Sequence, residues 1–307
     1  MKKTTKLFIV CAAVCAAGII MAMIGFAMGG VEDIDKVAER YDWVSAGPGE
    51  THAQTWDVDK FESIEAEGNM EIIVIGAAAG TGTDDAQWDF DDLNINADWD
   101  EETMIRQYLE EGKDINLSYT VLVSYGENAG EPEVSVEDDV LRIKTDADQS
   151  GVDLNFTGED AEPKVVVFCG AEKLKNIDID CEYSDIALTG IRCEKLYTKT
   201  ENGDISFDNI VGEEMKLETE SGKIAIHQCE GDITATTDYG DVEFASDQEQ
   251  GQFEISATSE SGYLFINGNE QEMSDEGDVG VQFSSDGGPG KLSIETDTGD
   301  IKLDFGE

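Results

Sequence analysis

Positive charge is scarce in this chain. Lys and Arg total 20 against 69 Asp and Glu, so the formal net charge is 20 − 69 = −49 over 307 residues. Phosphate backbones are held by clustered Lys and Arg, so nucleic acid is excluded as a partner. The same deficit excludes adhesion of the protein's own face to an anionic lipid surface. Histidine is scarcer still, with His52 and His227 the only two. No Ser-His-Asp or Cys-His set can be assembled from them, and His227, which follows an apolar strand position, reads as an ordinary surface residue. The six cysteines contain no C-x-x-C pair, a spacing that is wrong for zinc. Cys11 and Cys15 lie in an apolar N-terminal run. Cys169, Cys181, Cys193 and Cys229 have apolar strand neighbours and read as buried small hydrophobes, with disulfides as the alternative in an outside compartment. The stretch "GAAAGTG" lacks the Gly-Lys-Ser/Thr ending of a phosphate loop. "DLNINADWDEE" is rich in oxygen ligands but lacks the Gly and terminal Glu of an EF-hand. Carboxylates are so abundant that close pairs arise by chance. We therefore assign no catalytic, cofactor-binding or metal residues.

Charge is also absent from Leu7 to Gly30, behind Lys2, Lys3 and Lys6. Leu7 to Met28 is 22 residues, about 33 Å as a helix, which suits a hydrocarbon core about 30 Å thick. A secretory apolar region is shorter, about 7–15 residues. The segment reads as a retained single-pass signal-anchor. The lysines place its N-terminus in the cytoplasm and the C-terminal domain outside. A cleaved signal, with "AMG" after Phe26 as the processing site, is the competing reading.

The chain divides by composition. Residues 1–30 carry the lysines and the span. Residues 31–57 read as a short amphipathic juxtamembrane helix (Val31, Ile34, Val37, Ala38 and Tyr41 at helical spacing) and a Gly- and Pro-containing linker. Residues 58–170 hold strand-like runs around an acidic insertion. Within the insertion, Met104, Ile105, Tyr108 and Leu109 share a helical face and Gly112 ends it. Trp88 and Trp99 fall in the same insertion, and its loops read as covers for an open end of the domain.

Residues 171–307 repeat. Six segments place three alternate residues, a turn, and two further alternate apolar residues in one frame. They are Ile177, Ile179, Cys181 with Ile186, Leu188; Leu196, Thr198, Thr200 with Ile205, Phe207; Met215, Leu217, Thr219 with Ile224, Ile226; Ile233, Ala235, Thr237 with Val242, Phe244; Phe253, Ile255, Ala257 with Leu264, Ile266; and Leu292, Ile294, Thr296 with Ile301, Leu303. The residues after the turn step by 19, 19, 18 and 22, and the last step is 37, a gap that "EGDVGVQF" fills as a degenerate unit. A fixed period with two-residue alternation is the mark of stacked units that share one core. The expected fold is all-β: a single-stranded, parallel β-helix-like β-solenoid of about 19 residues per coil. An antiparallel meander is the competing fold. The third position is small in every unit, as an inward side chain beside a corner must be. Gly203, Gly222, Gly240, Gly262 and Gly299 are expected to hold positive φ at these corners, with the neighbouring Asp residues accepting local backbone bonds. The β-roll calcium pattern Gly-Gly-x-Gly-x-Asp is not present.

These [S/T/N]-G-[D/K]-φ-x-φ corners over residues 174–305 resemble those of a bacterial putative-adhesin family of β-strand-repeat proteins, a domain-of-unknown-function family with membrane-anchored members. "FESIEAEGNMEIIVI" and "VSVEDDVLRI" resemble its opening coils. The resemblance implies a β-solenoid outside the membrane and a non-catalytic adhesin-like or scaffolding role, with an envelope polymer or a membrane protein as partner. It implies no cofactor. An accessory role in envelope-stress sensing is the second function it implies. A polysaccharide-acting β-helix enzyme is the alternative of a different class.

Overall fold

The computed structural model describes residues 51–76, 119–126, 131–145, 163–170, 172–271, 281–285 and 287–306. The apolar span, the juxtamembrane helix, the helix through Met104–Leu109, Trp88, Trp99 and the EF-hand-like stretch lie outside the described residues. Among the described residues no helix is long and apolar enough to cross a membrane.

The repeat folds as parallel coils, each made of two strands. They are β8 (Leu174–Cys181) with β9 (Ile186–Thr189), β10 (Arg192–Thr200) with β11 (Ile205–Asp208), β12 (Val211–Ser221) with β13 (Ile224–His227), β14 (Glu230–Tyr239) with β15 (Val242–Glu249), β16 (Phe253–Ser259) with β17 (Leu264–Ile266), and β20 (Gly290–Thr298) with β21 (Ile301–Gly306). Equivalent strands pair in parallel, so Ile177, Leu196, Met215, Ile233 and Leu292 face one another in turn. The meander is thereby excluded. The alternate apolar residues of all six segments are buried, in one cluster between the two sheets. Each inward Ile or Leu contributes roughly 1.5–3 kcal/mol.

Two coils come earlier in the chain: β2 (Ser63–Gly68) with β3 (Glu71–Ile75), and β6 (Val140–Lys144) with β7 (Lys164–Cys169). "VSVEDDVLRI" is a hairpin of β5 (Glu133–Glu137) and β6, turning at Asp138 and Asp139 with φ of 53° and 62°. The last residues of the supposed linker form β1 (Thr51–Asp57), which pairs antiparallel with β4 (Tyr119–Gly126). Its sequence, THAQTWD, shows no apolar alternation; β1 is held by backbone pairing, by the Gln54 amide donating to the Tyr125 hydroxyl at 2.9 Å and by Trp56 packed against the core. On β3, β7 and β4 the outward Ile73, Ile75, Val166, Phe168 and Leu122 are buried as well as the inward residues, which accounts for their unbroken apolar runs.

Spatial order departs from chain order at both ends. Coil β2/β3 lies between β6/β7 and β8/β9, and coil β20/β21 lies between β14/β15 and β16/β17. This corrects the reading of "EGDVGVQF" as a further coil. Its described end belongs to β19 (Val281–Ser285), an antiparallel strand on the outer side of β16. It also corrects the alignment of the fifth unit. Ile255, Ala257 and Ser259 pair with Leu292, Ile294 and Thr296, so Ser259, not Ala257, is its small third residue. Phe253 instead extends the unit one step earlier, against Gly290.

The corner glycines do not hold positive φ; among the described residues that conformation falls elsewhere. Their requirement is closeness. A Cβ on Gly222 would lie 2.0 Å from the Gly203 carbonyl oxygen, and one on Gly240 would lie 1.9 Å from that of Gly222. Positive φ falls at the second corner of four repeat coils, at Gly190, Asn209, Gln228 and Asn267, with φ of 64°, 52°, 52° and 49°. Asn tolerates this region because its short amide bonds locally. Here the amides of Gln228 and Asn267 also reach the adjacent coil, accepting the Asp247 and Phe305 N–H groups at 3.1 and 2.8 Å. After this corner Ile191, Ile210 and Cys229 turn inward and are buried.

Replacing Gly222 by Ala should destabilise the domain by about 1–3 kcal/mol through overpacking. A chemical denaturation midpoint unchanged by Gly222→Ala would contradict the close approach of the coils.

Candidate interaction surface

The Gly corner is built by side chains that reach one coil back. Thr200 Oγ1 donates to the Ser184 carbonyl at 3.1 Å, Thr219 to Gly203 at 3.1 Å, Thr237 to Gly222 at 3.3 Å, Thr296 to Gly240 at 3.1 Å and Ser259 to Gly299 at 2.9 Å. Cys181 holds the equivalent place in coil β8/β9 and lies against the Met70 backbone. Outside them runs a second ladder. Asp185 Oδ1 accepts the Asp204 N–H, Asp204 that of Lys223 and Asp241 that of Asp300, each at 2.7 Å, and Asp300 accepts that of Tyr263 at 2.9 Å. The corner aspartates therefore bind the next coil's backbone rather than their own turn. Among the described residues, no three of His, Cys, Asp and Glu converge on a point that could hold a metal ion.

The residue after each small third position is acidic in all six coils. In spatial order the column reads Glu182, Glu201, Glu220, Asp238, Asp297 and Glu260. Sequence reasoning missed it, because the two-residue misalignment of the fifth unit put Thr258 where Glu260 belongs. Successive coils are about 4.8 Å apart, so these carboxylates repel one another. Tyr183 and Tyr239, 52% and 66% exposed, stand beside the column, and Tyr263 is 55% exposed at the same corner.

The broad outer face of the longer strands is a mixed-charge grid. Arg142 bonds Glu65 at 2.9 Å and Lys144 bonds Glu67 at 3.0 Å. The Tyr197 hydroxyl donates to Glu218 at 2.7 Å, with the Lys216 ammonium 5.3 Å from the centre of its ring. Such exposed pairs contribute about 0–1 kcal/mol each. A cleft of about 390 Å³ at one end of this sheet is lined by Glu67, Glu131, Glu133, Asp180 and Glu182 with Lys144.

On the opposite sheet Thr189, Asp208 and His227 stand in register on adjacent strands. Asp208 is half-buried. Burial pushes its carboxyl above the usual range, opposed by the charge of His227 and by the Thr189 hydroxyl, 3.5 Å away. Among the described residues the four cysteines, Cys169, Cys181, Cys193 and Cys229, are free and buried. Desolvation pushes each thiol up to about 12, so at neutral pH they are protonated and inert as nucleophiles.

Set beside known proteins, the chain matches the family model described as Toastrack DUF4097 over residues 120–273. A putative cell adhesion protein from Clostridium sporogenes is similar in structure, at 14% identity and a TM-score of 0.43, covering 84% of this chain and 99% of its own. A putative adhesin from Bacteroides fragilis gives 14% identity and a TM-score of 0.39, covering 83% and 97%. A putative lipid binding protein from Parabacteroides distasonis gives 10% identity and 0.32, covering 84% and 98%. No curated protein matches.

Salt screens like charges, so the melting temperature should rise with sodium chloride, and the rise should shrink in Glu201→Gln/Glu220→Gln/Asp238→Asn. An identical salt response in the two proteins would remove the column as a source of repulsion. Asp208 binds its proton more tightly folded than unfolded, so its contribution is full below the unfolded pKa and is lost as pH rises through the folded one. Asp208→Asn should therefore stabilise the protein at neutral pH relative to its effect at about pH 3, where both side chains are uncharged. Equal shifts in melting temperature at both pH values would contradict the burial of this carboxylate.

Proposed function

The chain belongs to the Toastrack DUF4097 family, and from that premise we propose that it is a non-catalytic, adhesin-like surface protein that binds a repetitive, cation-bearing partner of the cell envelope along its acidic corner. One observation carries this reading: six coils place a carboxylate at the same point, in register. A small molecule gains nothing from a repeat of equivalent charges. A polymer or extended protein segment with ammonium groups gains at every step, through multivalency. The cleft and the exposed tyrosines flank that column and offer further contact area. In this reading the apolar run from Leu7 to Met28 anchors the protein by a single pass, residues 31–50 lead from it to β1, and the domain stands on the extracytoplasmic side.

The test is retention of the purified chain on isolated envelopes at rising salt, paired with external protease on intact cells. Wild type should be retained at low salt and released as salt rises, and the triple column variant should be retained far less. External protease should remove the domain. Equal retention of the two proteins would reject the column as the binding surface. A protected domain would reject the topology, and release of soluble sugar from the envelopes would favour the polysaccharide-acting enzyme.

A further inference from the structure

Coils β14/β15 and β16/β17 are consecutive in the chain, yet β20/β21 separates them. On its longer strand and at the glycine corner, the two interfaces it makes match in chemistry. β14 offers Ile233, Ala235 and Thr237 to Leu292, Ile294 and Thr296. From the other side β16 offers Ile255, Ala257 and Ser259 to the same three residues. The corner bonds match as well. Thr296 donates to Gly240 as Ser259 donates to Gly299. Asp241 accepts the Asp300 N–H as Asp300 accepts that of Tyr263. If β20/β21 withdrew, β16/β17 could close on β14/β15 with Ser259 turned to Gly240 and the Tyr263 N–H to Asp241. The inward residues and the glycine-corner bonds would find equivalent partners. The outer end of β15 would not, because β17 offers only Leu264, Phe265 and Ile266 where β21 also meets Ser246 and Glu249 and sets Phe305 against Phe244 and Phe253, so the insert is the favoured occupant of the slot.

The insert enters through a narrow crossing. From β19, outside β16, the chain passes over the start of β16 at Gly287, Gly288 and Pro289 to reach the other side. A Cβ on Gly287 would lie 1.7 Å from the Phe253 carbonyl oxygen, and one on Gly288 2.5 Å from that of Gln252. This short glycine crossing lies between two parts that can each pair independently, which is the arrangement of a hinge that permits swapping.

We propose that β20/β21 is an exchangeable insert, and that the slot between β14/β15 and β16/β17 accepts the same coil from a second copy of this chain. The slot selects for a strand with Leu-x-Ile-x-Thr, a Gly-Asp corner and Ile-x-Leu. That pattern is the chain's own repeat, so another copy is the partner whose residues fit without a new contact being invented. Reciprocal exchange gives a closed dimer, and head-to-tail exchange gives a longer assembly.

The experiment uses the full chain in detergent micelles. Thr234 and Ser293 are Cα partners across the slot, and both are exposed. One preparation carries Thr234→Cys with a donor dye, and the other carries Ser293→Cys with an acceptor. Both preparations carry Cys11→Ser and Cys15→Ser, and the four buried thiols do not compete for label. After mixing and warming below the unfolding transition, energy transfer between copies should appear. In an equal mixture about half of the donor slots should hold an acceptor insert. Light scattering should find that material in dimers or larger species, and excess unlabelled peptide 287–307 should suppress it. A control pair, Thr234→Cys and Lys216→Cys, lies on β14 and β12, which have no insert between them, and should give much weaker transfer than the slot pair. Equal transfer in both pairs would report aggregation and overturn the proposal. So would absence of transfer once hydrogen exchange across residues 290–306 is complete, and so would binding of the peptide without transfer between copies.

Discussion

The governing constraint in this molecule is the approach of one coil's backbone to the next at the glycine corner. The Gly203 carbonyl oxygen sits where a Cβ of Gly222 would be, and the Gly222 oxygen where one of Gly240 would be. A buried carbonyl in so tight a place needs a donor. The Thr or Ser three residues before each glycine supplies it from inside the coil. Each such bond is worth about 1 kcal/mol net, but its positional effect is larger. A slip of one residue would carry the acidic outward positions into the core, where an unpaired carboxylate costs several kcal/mol or gives up its charge. Register is therefore fixed at every coil.

Once register is fixed, the repeat in the sequence becomes a pattern on the surface. Residues about one period apart become neighbours, and a preference for Glu or Asp after the small position becomes a continuous column. The column is electrostatically unfavourable by about 0.2–1 kcal/mol per like-charge contact. The inward Ile, Leu and Val of each coil contribute more than that several times over, so the core tolerates it. A surface that a protein's own stability does not favour, repeated coil after coil, is the feature that the proposed envelope contact would use.

The ends of the stack are managed by topology. The first and the last coils of the described chain, β2/β3 and β20/β21, are each paired on both sides, so neither can fray as a terminal repeat would. The exposed ends instead carry antiparallel strands: β1, β4 and β5 at one end, and β19 together with β18 (Asn269–Glu270) at the other. Strands running against the stack interrupt the parallel template that an open solenoid would offer to further chains. At the β20/β21 end this protection depends on a coil whose two neighbours would also fit each other.

Much of this was legible in the sequence. Period-2 alternation recurring near every 19 residues requires one buried face per strand and a shared core, so the all-β solenoid and its inward residues could be read from Ile177 to Leu303 without coordinates. The burial of Cys169, Cys181, Cys193 and Cys229 followed from their apolar neighbours. What the pattern could not supply was the order of stacking and the reason for the glycines. Parallel coils with the same inward chemistry are interchangeable in sequence, so only the folded chain decided that Leu292 pairs with both Ile233 and Ile255. A glycine kept for positive φ and one kept for close approach are the same letter. Tertiary packing placed the carbonyl that excludes a Cβ at Gly222, and gave the left-handed corner to Asn209 and Gln228, because contact between coils is set by distance in space and not by spacing along the chain.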